Sequence, residues 1–259
     1  MPFQDVESYL AECLESIARQ SFRDFEVILV DDGSTDRSTE IVAEFCAADP
    51  RFRLIRQESH GPGHARNTGL RAMHPRGEFV AFVDGDDVIP EYAYELLVRT
   101  LEESGSDFVS GNVQMMNSTK KWQSPLHKTP MQKNRRGTHI TRFDALIYDR
   151  TVWNKLFRRS FWDHHFIAFP EGVLYEDSWV NMFAHFRAAK VDVLTDIVYY
   201  WRRREGGAAP RSPSATPSCP TSATGSPPSS RSAASWPSGA PGSTRRASAS
   251  TTSPASSPT

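Results

Sequence analysis

Phe79-Val80-Ala81-Phe82-Val83-Asp84-Gly85-Asp86-Asp87 joins an unbroken apolar run to three carboxylates within four residues. A short apolar run with β-branched members reads as a parallel strand buried on both faces, and the sudden acids read as the turn that ends it. Carboxylates crowded in this way repel one another unless water or a cation relieves them. An oxygen-rich, partly hydrated group such as Asp84 and Asp86 suits Mg²⁺ or Mn²⁺ carrying a substrate diphosphate. Alone, the same residues would also serve as a solvated acidic turn. A calcium-binding EF-hand loop is excluded, because Val88 and Ile89 stand where that loop needs a ligand and a glycine.

The same pattern occurs upstream. Phe25-Glu26-Val27-Ile28-Leu29-Val30 is a second apolar run, and it ends in Asp31-Asp32-Gly33-Ser34-Thr35-Asp36. Asp, Gly and Ser are ordinary turn and cap residues, yet a carboxylate fixed at a strand end can also accept hydrogen bonds from a base or ribose. Around these runs, Val6, Tyr9, Leu10, Cys13, Leu14 and Ile17 predict a helix over about residues 5–20. Ile41, Val42, Phe45 and Cys46 predict another, ending near Asp49-Pro50. Arg53-Leu54-Ile55 reads as a short strand, and the Gly61-Pro62-Gly63 turn leads into a helix through Ala65, Leu70 and Met73. A helix opened by Pro90 carries Tyr94, Leu97, Val98 and Leu101. Strands alternating with helices imply a parallel sheet covered on both faces, where ligands gather at the carboxyl ends of the strands. Both acidic clusters lie there.

Beyond residue 105 the pattern loosens. Asp107–Met116 reads as extended, 117–137 as a polar loop rich in Lys and Arg, Thr141–Arg159 as helical, Glu176–Ala189 as a helix and Val191–Tyr200 as a strand. Gly61-Pro62-Gly63-His64-Ala65-Arg66 opens a helix and sets a cation near the acidic rim, which favours phosphate oxygens. It is neither the dinucleotide fingerprint nor a P-loop, and in isolation it is equally a glycine turn with a surface Arg. Tyr175-Glu176-Asp177-Ser178 starts a helix. A carboxylate there can take a proton from an acceptor hydroxyl, or simply complement the helix dipole. The histidines lack metal-ligand spacing, and no Ser or Cys has a nucleophile-elbow context.

Composition adds boundaries and exclusions. From Gly206 to Thr259 there is no acidic residue, no Lys and, Cys219 and Trp236 apart, nothing larger than Pro among the apolar residues. Such a stretch cannot bury enough apolar surface to offset its ordering entropy, so a domain over 1–207 is expected to precede a disordered Ser/Pro/Ala/Arg-rich tail over 208–259. Four of the 30 basic residues, Arg211, Arg231, Arg245 and Arg246, lie in the tail and none of the 31 acidic ones does, leaving the first 205 residues at about −5. An acidic domain without a basic stripe argues against nucleic acid as a partner. Three scattered cysteines exclude a disulfide framework, and no window approaches a membrane span or a secretory signal. A cytoplasmic protein is expected.

Taken in order, Tyr9–Ile17, Phe25–Asp36, Gly61–Leu70, Phe79–Pro90, Asn154-Lys155-Leu156-Phe157, Glu176-Asp177 and Tyr199–Arg204 resemble the family-2 glycosyltransferases. The resemblance runs from Pro2 to about Gly207. It implies the GT-A fold, a three-layer α/β/α arrangement around a mostly parallel central sheet. It implies that Asp32 contacts the base or ribose, that Arg66 lies near the base and diphosphate, and that Pro2, Glu7, Asp84 and Gly85 belong to the nucleotide-sugar site. It further implies that Asp84 and Asp86 hold Mg²⁺ or Mn²⁺, with Asp86 the principal ligand, and that Asp177 is the catalytic base of an inverting transfer. The later segments resemble bacterial enzymes of teichoic-acid and other cell-wall polymer synthesis. Expected partners are therefore a nucleotide-sugar donor, expected to be a UDP-sugar, and a glycan, polyol-phosphate or lipid-linked acceptor, with peripheral association at the inner face of the plasma membrane. Two departures are visible. Family members begin with a strand that here has no counterpart before Pro2-Phe3-Gln4-Asp5-Val6-Glu7, and Gln4 stands where they carry Tyr. Two rival readings follow: an inactive fragment that still binds nucleotide, and a sugar-phosphate nucleotidylyltransferase, which would want a Gly-rich loop with a basic residue after the first strand.

Overall fold

The computed structural model describes residues 1–205; the expected tail lies outside the described residues. Along the chain the elements are β1 (Pro2–Phe3), α1 (Glu7–Ala18), β2 (Val27–Asp32), α2 (Ser38–Ala48), β3 (Phe52–Gln57), α3 (Pro62–Arg71), β4 (Phe79–Ala81) and α4 (Ala93–Ser104). There follow β5 (Phe108–Met116), β6 (Lys121–Gln123), α5 (Pro125–Lys128), β7 (Arg135–Thr138), a 3-10 turn (Asp144–Tyr148), β8 (Lys155–Arg158), α6 (Arg159–His164), α7 (Glu176–Arg187) and β9 (Val191–Arg202).

The strands form two sheets. The first is wholly parallel in the order β1-β2-β3, with Pro2 opposite Val30 and Val27 opposite Phe52. Where the sequence offers no strand ahead of the first helix, Pro2–Phe3 thus supplies a two-residue one. The second sheet is mixed, in the order β4-β8-β5-β9-β7 with β6 on β5, and within it only β5 and β9 run parallel.

Alternation along the strands builds three layers. Val27 and Leu29 of β2 join a core with Leu10 and Leu14 of α1, Val42 of α2 and Leu97 and Leu101 of α4. Their neighbours Ile28 and Val30 face the opposite way, onto Ala65 of α3. In the second sheet Val109 and Leu156 share the α1/α4 core, while Val80, Phe108 and Phe157 pack on Phe161 and Trp162 of α6 and on Val180 and Ala184 of α7. Helices therefore cover both faces, and α7 is seated by an aromatic core.

Three local expectations are corrected. The run from Phe79, expected as a parallel strand buried on both faces, is the three-residue β4, which pairs antiparallel with β8 at the edge of the mixed sheet and buries only Val80 fully. Thr141–Arg159 is not a helix: only Asp144–Tyr148 winds, and Lys155–Arg158 is strand β8, inserted antiparallel between β4 and β5. Asn154 and Lys155, polar yet 1% and 0% exposed, are drawn inward by hydrogen bonds that no helical pattern anticipates. The polar stretch 117–137 also holds β6, α5 and the start of β7.

Candidate active site

The carboxyl end of β2 is closed upon itself. Asp32, buried, accepts hydrogen bonds from the backbone N–H groups of His60 at 3.0 Å and Gly61 at 2.8 Å, from Gln57 Nε2 at 2.7 Å and from Ser59 Oγ at 3.4 Å. Its carboxylate thus shapes the loop from β3 into α3. Gln4 Nε2 donates to Ser59 Oγ and joins the same loop. Asp31 turns the other way, accepting from Ser34 N at 2.8 Å and Thr39 Oγ1 at 2.5 Å. Gly33 takes φ +80°, the left-handed conformation that lets the chain reverse here.

Beyond β4 the second acidic turn is held by cations and a phenol. Asp84 Oδ1 accepts from Arg66 Nη2 at 2.7 Å, and Asp86 Oδ2 from Arg204 Nε at 2.7 Å. Asp87, 1% exposed, accepts from Tyr199 Oη at 2.8 Å and Arg202 N at 2.6 Å. Burial pushes the Asp86 carboxyl up, Arg204 opposes this and the charge of Asp84 adds to it. Burial and then the two neighbouring carboxylates raise Asp87 well above the ordinary range. Gly85 allows the turn to press on the N-terminal segment, since a Cβ there would lie 3.0 Å from Phe3 Cβ and 3.3 Å from Val6 Cγ2.

Arg66 joins this turn to α7. Its buried guanidinium donates through Nη2 to Asp84 and through Nη1 to Glu176 Oε1, and lies 5.3 Å from the centre of the Phe169 ring. Burial alone would weaken its charge, but Asp84, Glu176 and Asp177 outweigh that and raise its pKa. Next to Glu176, Asp177 is half-buried. Burial lifts its carboxyl to about 6; Arg66 opposes the rise, and Asp84 and Glu176 add to it.

The fold thus brings Asp84, Asp86, Arg66 and Asp177 into one electrostatically coupled group, and Gly85 lies between the two acids. Pro2 contributes backbone pairing to β2. Glu7 Oε2 accepts from Arg37 N at the start of α2, while Asp36 Oδ2 accepts from Glu7 N. Glu176, Tyr199, Arg202 and Arg204 carried no assigned role in the sequence, although the run of three arginines closing β9 was a visible signal. Among the described residues no group of three or more His, Cys, Asp or Glu is arranged to hold a metal ion. The donor set still fits a hard divalent cation, because Asp84 and Asp86 offer carboxylate oxygens that are 32% and 19% exposed as side chains. Substrate phosphates and water complete the shell of such ions.

Fold and site together define an α/β domain with an acidic pair and an arginine at the carboxyl ends of its strands. A family model described as Glycosyl transferase family 2 matches residues 1–166, and the chain belongs to that family. It is 34% identical over 211 residues to the uncharacterized glycosyltransferase EpsJ of Bacillus subtilis, which covers 78% of this chain and 59% of EpsJ. It is 31% identical to the poly(ribitol-phosphate) beta-N-acetylglucosaminyltransferase TarS of Staphylococcus aureus, covering 80% of this chain and 35% of TarS. The crystal structure of TarS 1–349 in complex with UDP-GlcNAc superposes with a TM-score of 0.71 at 30% identity, covering 82% of this chain and 60% of that one. The chain therefore spans between about a third and three-fifths of the length of these relatives.

Proposed function

We propose that the chain is an inverting glycosyltransferase that moves a sugar from a nucleoside-diphosphate donor, a UDP-sugar, to a hydroxyl acceptor. The observation that carries this reading is the Arg66 bridge: one guanidinium joins the acid of the Asp-x-Asp turn to the α7 turn that holds Asp177. Asp32 and its loop receive the base or ribose. Asp86, with Asp84, holds Mg²⁺ or Mn²⁺, which when bound neutralises charge on the departing diphosphate. Arg66 adds a fixed positive charge beside the diphosphate.

In the reaction Asp177 takes the proton from the acceptor hydroxyl. The acceptor oxygen forms a bond to the anomeric carbon as the bond to the diphosphate oxygen breaks, and the nucleoside diphosphate leaves with that electron pair from the opposite face. A carboxyl raised to about 6 is ionised at neutral pH, yet basic enough to assist a hydroxyl.

The TarS name motivates an acceptor of the polyol-phosphate, glycan or lipid-linked kind in cell-envelope or polysaccharide synthesis. Work at the cytoplasmic side, docked on the inner membrane face, accords with such acceptors. Among the described residues no helix is long and apolar enough to cross a membrane.

Calorimetric titration with UDP and Mn²⁺, run beside a donor-hydrolysis assay over a panel of UDP-sugars, tests the reading. Metal-dependent UDP binding with turnover that Asp86→Ala and Asp177→Ala abolish is the expected result. UDP binding without turnover would make the chain a nucleotide-binding domain, and an active Asp177→Ala protein would refute the base.

A further inference from the structure

Behind Asp177 lies a buried polar cluster that the proposed reaction does not use. Asp149, Asn154, Lys155, Asn181 and His185 are each 1% exposed or less. Asp149 Oδ1 accepts from Lys155 Nζ at 2.8 Å and Asn154 Nδ2 at 3.1 Å, and its Oδ2 accepts from Ser110 Oγ at 2.6 Å. Lys155 Nζ also donates to Thr151 O at 2.5 Å and Asn154 Oδ1 at 3.0 Å. Asn154 Nδ2 reaches Gly111 O at 2.8 Å, which ties the group to β5. Burial pushes the Asp149 carboxyl up, but Lys155 and the imidazoles of His127 and His185 overcome it and hold the acid well below its usual range.

A buried ion pair of this kind is a poor source of net stability, since apolar groups of the same volume often replace it at no cost. Its consequence here is geometric. The pair, with Ser110 and Asn154, fixes the segment in which the Asp149 carbonyl points at α7, and Asn181 Nδ2 donates to that carbonyl. Asp177, Asn181 and His185 follow at intervals of four residues and so share one face of α7. His185 packs edge-on to Phe108 with ring centres 5.0 Å apart, and its Nε2 lies 3.7 Å from Asp149 Oδ2.

The front of α7 has less to hold it. Residues 171–175 are exposed, and Gly172 and Tyr175 both take left-handed conformations, at φ 69° and 59°. Asp177 Oδ1 accepts the backbone N–H of its own neighbour Ser178. The Arg66–Glu176 bridge ties the helix to the donor side, and the Asn181 hydrogen bond ties it to the second sheet.

We infer that Asn181, seated on the Asp149–Lys155 pair, is a positioning residue that sets where α7 carries Asp177 relative to Arg66 and Asp84. The inference rests on Asp177 being the base. Misplacing a reacting group by about 1 Å can cost about a hundredfold in rate, so a helix held from behind has a direct kinetic value.

Asn181→Leu keeps the branching and heavy-atom count of the side chain and removes the donor. In the full chain it lowers kcat by about tenfold to a hundredfold, leaves the affinity for UDP with Mn²⁺ unchanged and raises deuterium uptake across Glu176–Arg187. Ser110→Ala, a second variant that withdraws a neutral hydrogen bond from Asp149 without changing α7, likewise lowers kcat and raises that uptake, and again leaves UDP affinity unchanged. In an Asp177→Asn background Asn181→Leu causes no further loss, because a positioning residue acts only through the group it positions. Wild-type kcat and uptake in Asn181→Leu overturn the inference. So does a parallel loss of UDP affinity, which marks general support of the fold. If Asp177→Asn alone keeps wild-type turnover, the base assignment falls instead, and the uptake measurement then decides by itself whether Asn181 holds α7.

Discussion

The two acidic strand ends are built from the same residue types and are satisfied in opposite ways. At the end of β2, Asp32 spends its carboxylate on the chain itself, on two backbone N–H groups and two side chains of one loop. At the turn after β4, Asp84 and Asp86 are each met by a single guanidinium brought from a distant element, Arg66 of α3 and Arg204 beyond β9. A carboxylate paired with backbone donors is a structural cap whose partners have nowhere else to go. One paired with a long basic side chain can exchange that partner for a cation or hand it to a phosphate. The first end is therefore a preformed wall, and the second is where charge can be rearranged during a reaction.

The sharpest way to break this contrast is to remove one acid from each end. Asp86→Ala should lower turnover by at least about a hundredfold, the scale of lost metal stabilisation, and should abolish the Mn²⁺ dependence of UDP binding. It should not lower the melting temperature at neutral pH. Burial and the charge of Asp84 raise the Asp86 carboxyl, so its ionised form adds nothing to stability above that raised value. Asp32→Ala should do the reverse and first lower stability, by about 1–3 kcal/mol, because the N–H groups of His60 and Gly61 lose their acceptor. Thermal melts beside titrations settle the matter. An Asp32→Ala protein with wild-type stability would dissolve the distinction.

Asp177 sharpens it through pH. Its folded carboxyl titrates at about 6 against an ordinary 3.8, so the acid contributes stability below about pH 4 that is lost as pH rises through 6. Asp177→Asn should therefore stabilise the protein above pH 6, by up to about 3 kcal/mol from the size of the shift, and leave stability near pH 4 unchanged. The turnover of the parent chain should rise through the same interval, since the base must be ionised. Equal stabilisation at both pH values would show that Asp177 is not the strained acid of this site.

How far the sequence reveals this arrangement follows from the range of its interactions. The βα units up to Ser104 are legible because their signals are local: apolar runs of strand length, helical spacing, and turns at Asp-Gly and Gly-Pro-Gly. Legibility fails where side chains answer to distant partners. Asn154 and Lys155 read as polar helix and are buried strand-edge residues held by Asp149 and Gly111. The acids and Arg66 could be singled out one by one, but not their pairing, because Arg66 with Glu176 spans 110 residues and Arg204 with Asp86 spans 118. Glu7 adds another pairing of the same kind: its carboxylate accepts the backbone N–H of Arg37, 30 residues on.

The smallest test uses the two glycines that follow the acids. Gly33 sits at φ +80°, and an added Cβ would stand 3.1 Å from Ser59 N. Gly33→Ala therefore carries a left-handed penalty of about 1–2 kcal/mol, and it pushes on the loop that Asp32 organises. Gly85 has no such backbone demand, and its Cβ would meet Phe3 Cβ at 3.0 Å, a contact that a small shift of the N-terminal segment can relieve. Gly85→Ala should cost about 1 kcal/mol, at the low end for overpacking. If the first end is a wall, Gly33→Ala weakens UDP binding along with stability, because the loop cannot yield without moving Asp32. If the second end is the adaptable one, Gly85→Ala melts slightly lower and loses less of its Mn²⁺-dependent UDP affinity than Gly33→Ala does. The opposite ranking in paired melts and titrations would place the rigid wall at the turn after β4.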